Sequence, residues 1–220
     1  MGPGIIDVFT EYWQIFLRGA IGTLEFAFIA VFFGSLIGAL VALLRLSRNP
    51  VFRGIATVYA TVIRGTPLLV QMYIWYFFVP MAMPALGLAK EQCVMLALIL
   101  NSAAYVSEII RSGINSVDPG QTEAARSLGM TAKNTMVRIV LPQAIKNILP
   151  ALANEYITMI KETSLAGTFM IYELMYTRVL LANKFLIWQP LFIVAAIYLI
   201  MTTGLTALVR YAEKRFAVSD

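Results

Sequence analysis

The 220 residues suffice for one soluble domain or one small membrane bundle. Hydrophobic residues make up 60% of the chain and charged residues 13%, against roughly 45–50% and about 25% in a soluble domain, so a water-covered surface and a disordered chain are both excluded. The net charge of +5 could point to nucleic acid, and the absence of histidine excludes Ser-His-Asp catalysis and an H-E-x-x-H zinc site.

The opening segment, residues 1–16, has no basic stretch leading into an apolar core, so no cleavable signal peptide is expected. Its Ile, Phe and Trp residues beside Asp7 and Glu11 predict a short extracytoplasmic, interfacial helix. The first span is predicted over residues 17–44, where Gly34 and Gly38 form a G-x-x-x-G pair that lets helices approach closely. The second, over residues 58–79, contains Pro67 and should kink there. Pro80 and Pro84 mark the loop that follows. The third, over residues 91–112, holds Cys93, the one cysteine, which rules out an internal disulfide. The fourth, over residues 147–166, is the most polar. Pro190 lies near the start of the fifth, over residues 187–209, and residues 213–220 form a tail. Each stretch approaches the about 20 residues a bilayer crossing needs, so the fold class is an all-α integral membrane protein with five transmembrane helices.

Basic residues sort by side. One side collects Arg45, Arg48 and Arg53, then Arg111, Arg126, Lys133, Arg138 and Lys146, then Arg210, Lys214 and Arg215. The other has Arg18, Lys90, Arg178 and Lys184. The positive-inside bias places the N-terminus outside, the C-terminus inside and loop 113–146 in the cytoplasm. This explains the positive charge without nucleic acid.

Ionisable and amide groups at membrane depth are functional suspects. Gln71, Asn101 and Glu155 fall near the middle of three different spans. Asn154 and Thr158 neighbour Glu155, with Thr158 expected on roughly its face, and Tyr105 lies one turn from Asn101. Glu155 suits an ammonium group, and Gln71, Asn101, Asn154 and Thr158 suit a carboxylate. Interhelical hydrogen bonding is the competing role for each of them. Glu108 either pairs with Arg111 or Arg64 as an inner gate or is simply solvated. Lys161 and Glu162 either order an outer gate or sit at the interface.

Loop 113–146 is the most informative segment. Pro119-Gly120 marks a turn, Gln121–Leu128 a short helix ended by Gly129, and Thr131–Val140 a second helix stopped by Pro142. Glu123 should favour the first turn of its helix, where a carboxylate can cap. The residues read Glu123-Ala124-Ala125, three residues, Gly129, nine residues, Ile139, one residue, then Leu141-Pro142. This resembles the E-A-A loop of permease subunits in binding-protein-dependent ABC importers. Arg64-Gly65-Thr66-Pro67-Leu68-Leu69-Val70-Gln71, Ala104–Ile109, Asn154–Ile157 and Lys161–Leu165 are similar to signatures of the polar amino-acid permeases. The resemblance covers residues 17–212.

The resemblance implies a type I ABC importer permease in the cytoplasmic membrane of a prokaryote, working by alternating access. The partners implied are a second permease subunit, identical or related, two ATP-binding subunits and an extracytoplasmic amino-acid-binding protein. It assigns Glu123, Ala124, Ala125, Gly129, Leu141 and Pro142 to ATPase coupling. The chain itself has no G-x-x-x-x-G-K-S/T loop. No cofactor is expected in it, no enzymatic activity either, and ATP with magnesium would be held by the partner subunit. The alternative is a stand-alone secondary transporter or channel for small polar solutes. The E-A-A loop argues against that, as does the odd number of spans.

Overall fold

The computed structural model describes residues 4–181 and 188–217. Among them every regular element is helical. Lys184, the first residue of the fifth expected span (Ile187) and the extreme ends of segments 1–16 and 213–220 lie outside the described residues.

Helix α1 (Ile5–Arg45) is 41 residues long. The segment expected as a separate interfacial helix is its first part, and only Tyr12 leaves helical backbone angles, at φ −118° and ψ 17°. The buried face of α1 is almost entirely small. Gly19, Thr23, Ala27, Ala30, Gly34, Gly38 and Ala42 recur every three or four residues, the spacing of one helix face. Helix α5 (Lys90–Asn115) lies against this stripe. A Cβ on Gly34 would come 2.7 Å from the Cβ of Ser102, and one on Gly38 2.8 Å from the carbonyl oxygen of Ala103. The G-x-x-x-G pair therefore sets the α1–α5 approach by leaving room for backbone.

The second predicted span is broken rather than merely kinked. Helix α2 (Pro50–Gly65) and the stretch Leu68–Ala82 meet at 106°. Pro67 has no N–H to give and forces the preceding residue out of the helical region. Thr66 is accordingly extended, at φ −117° and ψ 146°. The second arm comprises α3 (Leu68–Tyr73), a π-helical turn over Ile74–Phe78 and α4 (Val79–Ala82).

After α5 the chain enters α6 (Pro119–Ser127), capped by Asp118, whose side chain accepts from the Gly120 N–H at 2.9 Å. Gly129 ends the motif with φ 83°. The Met130 N–H donates to the Ala125 carbonyl and the Gly129 N–H to that of Arg126, which is a Schellman termination.

The sequence reading fails at Pro142, which does not stop the next helix. Helix α7 (Ala132–Thr135) runs through a π-helical turn, Met136–Val140, directly into α8 (Leu141–Glu162). In the π turn the Leu141 N–H reaches back five residues to the Met136 carbonyl, so the ladder is already shifted where Pro142 would leave a gap. One uninterrupted helical path therefore spans residues 132–162.

The fourth span, expected to reach residue 166, ends as a regular α-helix at Glu162. The chain instead tightens into a 3₁₀ helix, Thr163–Phe169, and returns as α9 (Leu174–Leu181) before α10 (Trp188–Ala217). Glu173, fully buried, pins this return. Its carboxylate accepts from the N–H groups of Met175 and Tyr176, each at 2.7 Å, and from the Tyr198 hydroxyl at 2.8 Å. Counting the broken pair as one, the helices long and apolar enough to cross a membrane number up to 5.

Candidate translocation and coupling site

The knob formed by α6 and α7 presents its motif residues unequally. Ala125 is buried against the body of the knob, whereas Glu123, Ala124 and Pro142 are exposed and Leu141 is half-buried. Glu123 does not cap, because Asp118 occupies the cap position and Glu123 lies a turn further in. Nothing lies within 4 Å of a Cβ built on Gly129. Its requirement is the left-handed backbone, not space.

The polar groups expected at the membrane midplane divide into two sets. The first is a buried network. Asn101 Nδ2 donates to Gln71 Oε1 at 3.1 Å. Gln71 Nε2 in turn donates to the Ile63 carbonyl at 2.7 Å and to the Thr66 carbonyl and hydroxyl at 3.1 and 2.9 Å. Gln71 thereby satisfies the carbonyls that the α2–α3 break frees. Asn101 Oδ1 is left buried without a partner. On the other side of α5, the Ser102 hydroxyl donates to Glu155 Oε1 at 3.1 Å, and Glu155 is only 9% exposed.

The second set is open. Asn154 and Thr158 are exposed, about 100° and about 60° around α8 from buried Glu155. Thr158 adjoins Glu155 around the helix, as its i+3 spacing implies, but it is exposed where Glu155 is buried. The i+3 step carries Thr158 past the α5 contact, while i+4 joins it to Asn154. Asn147, Ala151, Asn154, Thr158 and Lys161 follow one another at steps of four, three, four and three. They make a continuous stripe on α8, exposed except for half-buried Ala151. Tyr105 is 37% exposed. Lys161 borders a groove shared with the C-terminal half of α10, and Glu162 is half-buried.

Glu108 lies among three guanidinium groups. Arg45 donates at 2.8 Å, Arg111 pairs with the other carboxylate oxygen, and Arg64 stands 3.1 Å away. Both partners considered from sequence are present. Arg45, in the last turn of α1, is a partner the sequence did not single out, and Ser102 and Glu173 were not singled out either. Glu173 carries a sequence signal, an acidic residue just before an apolar helical run. Ser102 carries none beyond its place next to Asn101.

Apolar spans, one helix with a polar open face and a protruding helical knob on the same continuous helix define a membrane permease subunit. Residues 9–218 match the family described as the binding-protein-dependent transport system inner membrane component, and the chain belongs to that family. It is 41% identical over 207 residues to a putative glutamine transport system permease protein GlnP of Rickettsia bellii, covering 92% of this chain and 93% of that one. It is 38% identical over 209 residues to the arginine transport system permease protein ArtQ of Bacillus subtilis, covering 93% of each. A solved structure described as an amino acid ABC transporter with histidines superposes with a TM-score of 0.91 at 40% identity. That match covers 98% of this chain and all of the other.

Proposed function

We propose that the chain lines half of an amino-acid import path and is driven by ATP-binding subunits seated on its knob. The observation that carries this reading is the continuity of residues 132–162. The helix holding the exposed polar stripe begins in the knob, so a push on the knob turns the stripe as one body. A polar stripe in a membrane segment is costly against lipid and belongs against water or a partner. A second permease subunit, identical or related, completes the path by covering it. Two ATP-binding subunits hold ATP and magnesium, and an extracytoplasmic binding protein delivers the solute. The names of the relatives favour glutamine or a basic amino acid such as arginine.

The N-terminus lies outside and the C-terminus inside, consistent with the basic residues on the knob side. Asn154, Thr158 and Tyr105 contact the solute from the open face. Gln71, Asn101 and Glu155 form the wall behind them. Glu108 with its arginines serves as an inner gate, and Lys161 and Glu162 border the path above the midplane. Glu123, Ala124, Ala125, Gly129, Leu141 and Pro142 couple to the ATPase.

The test is uptake and ATP hydrolysis by the assembled transporter in vesicles. Gly129→Asp, which strains the left-handed turn by about 1 kcal/mol or more, and Glu123→Lys are expected to abolish uptake while hydrolysis continues. Wild-type uptake by both variants rejects the coupling assignment.

A further inference from the structure

Arg64 opens the R-G-T-P stretch, and the gate reading alone does not explain it. Glu108 is satisfied without it. Arg45 holds one carboxylate oxygen and Arg111 holds the other. Arg64 adds a third cation, leaving one carboxylate among three guanidinium groups. It is held in place from two directions, by Glu108 at 3.1 Å and by the face of Tyr105, whose centroid is 5.5 Å from the guanidinium carbon. Its side chain nevertheless remains 38% exposed. The exposed part borders a cavity of about 380 Å³ on the knob side of the midplane, with Tyr105, Ser112 and Asn147 also on its wall. Glu108 is the one carboxylate in that lining. The stripe on α8 runs into the same cavity through Asn147 and Ala151.

A planar, oriented guanidinium with free donors and surplus positive charge recognises a carboxylate, which it binds through two parallel hydrogen bonds. We propose that Arg64, held between Glu108 and Tyr105, forms an exit-side site that takes the α-carboxylate of the amino acid after it leaves the midplane, a step that rests on the import reading above. Tyr105, beneath the guanidinium, also lines the cavity wall. The volume is in the range of small-ligand pockets. Such a site would hold the solute by its carboxylate end, whatever the side chain, on the side facing the cytoplasm.

Ser112→Cys places a thiol in the cavity, and Cys93 is buried and silent. In nucleotide-free vesicles of the assembled transporter, labelling by a sulfonate-bearing methanethiosulfonate should outrun labelling by a trimethylammonium one by roughly 10-fold, as expected of a focused positive field. Millimolar L-arginine or L-glutamine should slow the sulfonate reagent. Their decarboxylated analogues, agmatine and 4-aminobutanamide, should not. Adding Arg64→Gln should shrink the preference for the sulfonate reagent and remove the protection, and Arg64→Lys should keep the charge preference but weaken the protection. Equal rates for the two reagents, protection by the decarboxylated analogues or protection that survives Arg64→Gln would each overturn the site. ATP-driven uptake measured on vesicles of the unsubstituted transporter separates the two readings. Uptake without protection overturns the exit site alone, whereas failure to take up any amino acid overturns the import reading.

Discussion

The two faces of α8 both carry polar groups but place them differently. On one face Glu155 is buried and bonded to Ser102 of α5, with Ala144 and Ile148 also buried. On the other, Asn147, Asn154, Thr158 and Lys161 are exposed. Polar content alone does not distinguish these faces, since both carry it. The distinguishing property is burial. The buried carboxylate is bonded across to α5, whereas on the open face Asn147 donates to the Ser116 hydroxyl at 2.8 Å and Asn154 and Thr158 remain exposed to water, solute or another subunit. A membrane helix can thus carry a polar residue bonded within the bundle and an exposed one at adjacent positions.

The largest expected effect comes from breaking the buried face. Ser102 is fully buried, touches the space left by Gly34 and bonds Glu155. Ser102→Leu would drive a branched side chain into the α1–α5 contact and strip Glu155 of its donor. Overpacking costs typically 1–3 kcal/mol, and an unsatisfied buried polar group adds about 1–3 kcal/mol. The thermal midpoint of the detergent-purified complex should fall sharply, or no folded subunit should be recovered. A midpoint equal to wild type would show that the α1–α5–α8 junction is looser than described.

A smaller effect on stability and a large one on transport are expected from the open face. Asn154→Leu with Thr158→Leu removes polar groups that make no hydrogen bond within the described part of the subunit. Stability should stay within about 0.5 kcal/mol of wild type, as for surface changes away from special features. Amino-acid uptake in vesicles should drop by roughly tenfold, the equivalent of about 1.4 kcal/mol. Unimpaired uptake would place the path elsewhere.

The sequence reveals these faces unevenly. The apolar spans follow from composition and run length, and the close α1 contact was readable at Gly34 and Gly38, though not the rest of the small-residue face. The knob was readable because Pro119, Gly129 and the E-A-A residues act locally. Three features depend on tertiary context and could not be read. The 106° break at Pro67 is far larger than a proline kink requires, and it is stabilised by Gln71 bonding to carbonyls of the other arm. The helix running through Pro142 depends on a π turn that no propensity marks. The split between Glu155 and Thr158 arises because α5 covers one side of α8 only, a fact about packing rather than periodicity. The steps from Asn147 to Lys161 were available in the sequence, but only a count of polar residues by helix face would have found them.

The subtlest test concerns Glu155, which the sequence reading assigned to the solute and the fold places behind the stripe. Glu155→Gln keeps the size of the side chain and an oxygen able to accept from the Ser102 hydroxyl at a similar distance. Ser102→Ala keeps the carboxylate but removes that donor, with an expected cost of about 1 kcal/mol. If Glu155 positions the helix, both variants should leave the KM for uptake unchanged, and Ser102→Ala should lower the thermal midpoint more than Glu155→Gln does. If the carboxylate instead meets the solute ammonium, the order reverses. Glu155→Gln would then raise KM by roughly tenfold or more, the loss of a charge-assisted hydrogen bond worth about 1.5–3 kcal/mol. Ser102→Ala would leave KM nearly untouched. Measuring KM and thermal midpoint for the two variants side by side separates glue from ligand at the one carboxylate where the two faces of α8 meet.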